Sequence, residues 1–117
     1  MRHGAVGATG DGERPKRRRR FGRAEGAAAF CPSSNLFLGS GLFDLAAMRE
    51  AAVEVGLGTD VGGGTSLSLP RTIADAYKVL QLQGQNLSAA QGLYLATLGA
   101  ARALDLDAHI GNFAPGK

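Results

Sequence analysis

Val55-Gly56-Leu57-Gly58-Thr59-Asp60-Val61-Gly62-Gly63-Gly64-Thr65-Ser66 is the stretch on which the reading of this chain turns. Val53 to Gly58, apolar or glycine except for Glu54, reads as a short buried strand, with Thr59-Asp60 at its C-terminal end. A triple glycine comes next, so the chain leaves the strand through a loop without bulky side chains. A carboxylate at the C-terminal end of a parallel strand is placed where barrel enzymes carry catalytic groups. There it can hold a divalent metal, take a proton from metal-bound water, or do both. Spacing alone leaves Asp60 equally open to a plainer role as an N-cap or turn aspartate.

Outward from this stretch the chain alternates between strand and helix patterns. On the N-terminal side, Ala28 to Cys31 reads as the end of a second buried strand, stopped by Pro32, with Ser33-Ser34-Asn35 as turn chemistry. Gly39-Ser40-Gly41 reads as a loop, and Asp44 as the N-cap of a helix carrying Leu45, Met48, Ala52 and Val53. On the C-terminal side, Pro70 suits the first turn of a helix carrying Ile73, Ala76, Tyr77 and Leu80 and ending near Gly84. Ser88 with Gln91 three residues on is a capping box, opening a last helix through Leu95 and Leu98 to about Leu104. Strand, helix, strand, helix, helix predicts an α/β fold with parallel strands. Two parallel strands have open edges and cannot cover their own apolar faces, so the body is expected to be part of a larger sheet or barrel.

Composition divides the chain in two. Residues 1–29 hold eight of the 13 Lys and Arg and three of the 10 Asp and Glu, a balance of +5. Residues 30–117 hold the other five and seven, a balance of −2, so the whole-chain charge of +3 misrepresents the body. Pro15-Lys16-Arg17-Arg18-Arg19-Arg20 is a like-charge block that repels itself, and residues 1–29 are expected to be a disordered Arg-rich leader. That block has only Phe21 as a neighbouring aromatic and no folded module around it, so nucleic acid is not an expected partner. No apolar run approaches the roughly 20 residues that span a bilayer, and no membrane is expected. The single cysteine, Cys31, excludes an internal disulfide and fits a reducing, cytoplasmic setting. Before Pro32 at a strand end it reads as a buried small side chain. His3 and His109 lack partners at metal-ligand spacing. The glycine loop lacks the Gly-Lys-Ser/Thr ending that grips phosphates, so it is read as a turn beside a site.

Phe30-Cys31-Pro32-Ser33-Ser34-Asn35-Leu36-Phe37-Leu38-Gly39-Ser40-Gly41-Leu42-Phe43 resembles the strand-seven motif of bacterial guanine deaminases, and the Val55–Ser66 stretch resembles their strand-eight motif. Residues 76–84 and 93–99 are similar to the helices that come after it, and Ile110-Gly111-Asn112-Phe113 with Pro115-Gly116-Lys117 to the crossing into a small β domain. The resemblance covers residues 30–117 and leaves out residues 1–29. It implies a metal-dependent amidohydrolase with a TIM barrel, present here as its last two βα units plus a C-terminal helix. It implies hydrolysis of guanine to xanthine and ammonia, with a zinc ion activating the water that attacks C2. Asp60 then falls on the carboxylate that ligates zinc and shuttles the proton. The intact enzyme is expected to be a cytoplasmic homodimer of purine catabolism acting on guanine.

The same resemblance implies metal ligands that this chain does not show. The paired histidines of strand one and the histidine of strand five have no counterpart, and the strand-six ligand falls near Thr9, where His3 is close but lies outside any matching motif. One carboxylate does not hold a catalytic zinc that takes three or more protein ligands. The chain is therefore expected to be a truncated piece, inactive alone. Two alternatives accompany this reading: an amidohydrolase of another aminated ring, and a non-catalytic remnant or interaction protein with a nucleic-acid-binding basic tail.

Overall fold

The computed structural model describes residues 5–6 and 26–117. Among these residues three strands form one sheet in the order β1-β2-β3: β1 (Ala5–Val6), β2 (Ala27–Phe30) and β3 (Glu54–Leu57). β2 and β3 are parallel, with Ala28 opposite Val55 and Phe30 opposite Leu57, while β1 lies antiparallel on the other side of β2. The expected α/β arrangement with two parallel strands is therefore present, and three strands do not close into a barrel. β2 begins at Ala27, so it takes in three residues of the segment read as a leader. The rest of that reading, the arginine block and His3 included, lies outside the described residues.

Two helices separate the strands, where one was expected. Pro32 stops the strand as expected, but it opens a helix instead of a turn: α1 (Pro32–Leu38) succeeds β2 directly, with proline in its first turn and the Asn35 N–H bonded to the Cys31 carbonyl at 2.9 Å. Proline lacks only an N–H that a first turn leaves unpaired, so the residues read as turn chemistry are helical. Gly39, at φ 70°, ends α1 in the left-handed conformation that glycine adopts without penalty. The next helix, α2 (Leu45–Glu50), opens as expected on Asp44, whose carboxylate accepts from the Ala47 N–H at 3.0 Å. It is shorter than its pattern suggested, because Ala52 turns to φ 58° and leaves Val53 outside it.

After β3 come α3 (Leu69–Gln81), capped by Ser68, and α4 (Ala89–Ala96), opened by the Ser88–Gln91 capping box. α3 buries Thr72, Ala76, Val79 and Leu80, a stripe turned slightly from the one read in the sequence, so Tyr77 is exposed. The last helix breaks at Thr97 and restarts as α5 (Leu98–Ala103). The Thr97 hydroxyl donates back to the Leu93 carbonyl at 2.7 Å, an alternative partner that loosens a helix. Gly99 lets α5 fold back, since a Cβ there would stand 2.8 Å from the Tyr94 ring.

One face of the parallel pair is covered and the other partly so, more than the sequence led us to expect. Ala28, Phe30, Val55 and Leu57 share one core with Phe43, Leu45, Ala76, Val79, Leu80, Leu87 and Leu95. On the opposite face α5 packs so closely that a Cβ on Gly56 would meet the Ala100 Cα at 2.8 Å. Two glutamines after α3 tie α2 in place, Gln83 donating to the Phe43 carbonyl and Gln85 to the Asp44 carboxylate.

Candidate functional site

Parallel pairing sets Phe30 beside Leu57, so the segments that leave the two strands emerge side by side. The Gly58 N–H continues the ladder, donating to the Phe30 carbonyl at 3.0 Å. Two residues on, Asp60 stands at the strand end, as read from sequence, with an exposed side chain. Its backbone takes φ 47°, a left-handed conformation that aspartate tolerates better than most residues.

The glycines after Asp60 build a closed turn. The Gly64 N–H donates to the Asp60 carbonyl at 2.6 Å, and the Gly62 N–H donates to the Gly64 carbonyl at 3.2 Å. Gly62 takes φ 117°. Gly64 is in an ordinary conformation, but a Cβ there would overlap the Thr59 carbonyl oxygen. The loop is therefore a tight turn beside Asp60.

From the other strand, the first turn of α1 reaches this turn at two points. The Ser34 hydroxyl, fully buried, donates to Asp60 Oδ2 at 2.6 Å. Ser33 Oγ accepts from the Thr65 N–H at 3.0 Å and lies 2.8 Å from Thr65 Oγ1. Gly63 sits above the Ser34–Asp60 contact, where a Cβ would lie 2.8 Å from Ser34 Oγ. Asn35, next along α1, is buried, and among the described residues both of its polar side-chain atoms lack a hydrogen-bond partner. Reading Ser33, Ser34 and Asn35 as turn residues hid these contacts. The usable signal was the parallel pairing, which brings the residues just after each strand together.

Cys31 lies beneath the same turn, against Gly58. Burial pushes its thiol up to about 11, the negative charge of Asp60 pushes the same way, and a backbone hydrogen bond from Gly58 offsets part of the rise. The thiol is therefore protonated at neutral pH and is neither a nucleophile nor a ready metal ligand, in line with its reading as a buried small side chain. Because this pKa is raised on folding, the contribution to stability is complete below pH 9 and is lost as pH rises toward 11. Alkylation of Cys31 at pH 8 is expected to run about a hundredfold slower than that of an unfolded cysteine, as the rise from 9.0 to about 11 implies. Timed iodoacetamide labelling, native against denaturant-unfolded, checks this, and equal rates would refute it.

The residues here do not by themselves fit a catalytic zinc. Asp60 supplies one carboxylate, and the nearby thiol keeps its proton. Among the described residues no group of three or more His, Cys, Asp and Glu side chains comes together. His109, exposed after α5, adds no such group. Among the same residues no helix is long and apolar enough to cross a membrane.

The model of the amidohydrolase family matches residues 14–117, and the chain belongs to that family. The matched span reaches back through the arginine block, further than the resemblance read from the residues themselves. Within the family, the chain is 55% identical to the guanine deaminase of Escherichia coli over 98 residues, which cover 84% of this chain and 22% of that protein. It superposes on a solved E. coli guanine deaminase with a TM-score of 0.76 and 58% identity, covering 79% of this chain and 22% of that one. It also superposes on an adenosine deaminase from Xanthomonas campestris, solved with bound zinc, with a TM-score of 0.70 and 34% identity, over 78% of this chain and 22% of that one. The resemblance to guanine deaminases is thus supported by sequence and by structure. The chain spans about a fifth of the length of these relatives.

Proposed function

We propose that this chain carries the strand-seven and strand-eight part of a guanine-deaminating hydrolase, with Asp60 as the carboxylate that binds zinc and handles the proton. The observation that carries the reading is Asp60 at the C-terminal end of a parallel strand, gripped by Ser34 and set on a closed glycine turn. The identity to guanine deaminases, which spans this part of the chain, supports guanine as the substrate. In the reaction a C–O bond forms at C2 of the purine, the C–N bond breaks, and ammonia leaves. Asp60 takes a proton from the attacking water and returns it to the departing nitrogen, work for which a positioned carboxylate is suited. The same reading carries the homodimer and the cytoplasmic setting. It also carries the placement of these strands as the last two βα units of a TIM barrel.

A second reading, deamination of another aminated purine, is favoured by the similarity to the Xanthomonas adenosine deaminase. One experiment separates the two. The purified chain alone is expected to hold no stoichiometric zinc and to release no ammonia. A chimera in which residues 30–117 replace the matching stretch of E. coli guanine deaminase is expected to release ammonia from guanine, with adenosine left intact. Asp60→Ala in that chimera is expected to lower the rate at least about a hundredfold, the lower end of what acid–base groups contribute. Turnover unchanged by Asp60→Ala would overturn the role of Asp60, and preference for adenosine would favour the second reading.

A further inference from the structure

An exposed carboxylate ordinarily samples several χ1 rotamers, and nothing in strand geometry alone selects one. Asp60 is exposed, yet one of its oxygens meets a hydroxyl that is wholly buried and fixed by a helix. The 2.6 Å separation is that of a short, charge-assisted O–H···O⁻ hydrogen bond. The partner comes from a different strand–helix unit, 26 residues earlier in the chain, so the contact crosses between neighbouring units.

Two further observations bear on the same contact. Gly63 leaves the space that the pair occupies, since a Cβ there would stand 2.8 Å from Ser34 Oγ and 3.4 Å from Asp60 Oδ2. Ser33 holds the far side of the turn through the Thr65 N–H and hydroxyl. The first turn of α1 thus grips the β3–α3 connection both before and after the glycines.

We propose that Ser34 is a positioning residue for Asp60, its buried hydroxyl selecting the rotamer in which the carboxylate works, with Gly63 keeping that contact sterically open. The proposal rests on the reading of Asp60 as the proton-handling and metal-binding carboxylate. Ser34 itself touches no substrate in this scheme; it acts through Asp60.

The test is made on the full 117-residue chain by NMR. Couplings to the Asp60 β-protons are measured in the wild type, Ser34→Ala and Ser34→Thr, without metal or substrate. One rotamer is expected to dominate in the wild type. Its population ratio to the others is expected to fall roughly tenfold in Ser34→Ala, the scale of a hydrogen bond to a charged group, and to recover in Ser34→Thr. An unchanged ratio in Ser34→Ala, or no recovery with threonine, would overturn the proposal. Should Ser34→Ala fail to fold, the contact is read from its other end in Asp60→Gly, which tolerates the left-handed φ. The Ser34 hydroxyl proton is expected to be protected from exchange in the wild type and unprotected in that variant; equal protection overturns the proposal. These readouts require no turnover, so they stand or fall apart from the deaminase reading, which the chimera tests.

Discussion

Phe30→Ala is expected to lower the unfolding free energy by about 3–5 kcal/mol, the usual cost of removing a buried aromatic ring. Phe30 has no exposed surface and stacks on Phe43 with ring centroids 4.5 Å apart and planes 11° from parallel. It also lies opposite Leu57 in the parallel ladder, so its ring joins the two strands to the segment that leads into α2. Alanine would leave a void that strands held by backbone pairing cannot close, and the lost contacts add to the lost transfer energy. A domain of this size has stability of about 5–15 kcal/mol, so a loss of this size removes about a fifth of it or more. Phe37→Ala is the control: that ring is 69% exposed on α1, and its loss is expected to cost no more than about 0.5 kcal/mol. Urea unfolding monitored by circular dichroism on the three proteins checks both. Equal midpoints for Phe30→Ala and Phe37→Ala would show that the core is not where the structure places it.

The parts of this fold that are legible in the sequence are those set by local forces. Helix starts at Asp44 and Ser88 can be read directly, because a cap is a contact between residues three apart, and Pro70 marks a third because proline suits a first turn, although the sequence pattern does not single out Ser68, the cap there. Both parallel strands are legible as apolar runs ending in turn residues. Pro32 is legible as the stop of the strand but not as the start of a helix, because proline suits a turn and a first helical turn alike, and only its tertiary surroundings decide between those two. The break at Thr97 is not legible either. It depends on a hydroxyl bonding back to Leu93 and on α5 folding onto the strands, where Ala100 meets Gly56. The cover that α5 gives to the sheet is a tertiary event with no periodic signature, and for that reason the sequence alone implies bare faces.

The site is legible in part for the same reason. Asp60 stands out because a carboxylate between an apolar run and a triple glycine is a local pattern. Its partner Ser34 does not, since a hydrogen bond across 26 residues leaves no mark on either segment alone. The parallel register connects them: with Phe30 beside Leu57, residues a few places beyond each strand end must meet. The separate roles of the three glycines are equally hidden, because their spelling is uniform. Gly62 serves a backbone angle, Gly63 a side-chain contact and Gly64 a backbone approach.

That division of labour predicts unequal substitutions in one loop. Gly64→Ala is expected to destabilise the chain by about 1–3 kcal/mol, as overpacking a close-fitting site does, and to displace Asp60 as well. A methyl group at position 64 would overlap the Thr59 carbonyl oxygen and press on the Asp60 carbonyl at 3.1 Å, and both are backbone atoms that cannot rotate away. Relief requires the 59–60 segment to move, which breaks the 2.6 Å bond from the Gly64 N–H to the Asp60 carbonyl and draws the carboxylate from Ser34. Gly62→Ala meets nothing within 4 Å, so its cost is only the left-handed backbone, about 1 kcal/mol. The amide resonances of Ser34, Asp60 and Thr65 should therefore shift strongly in Gly64→Ala and modestly in Gly62→Ala, with urea midpoints in the same order. If Gly64→Ala left those resonances and the midpoint unchanged, the turn would have slack, and a slack turn is not one that holds Asp60 at a fixed place against α1.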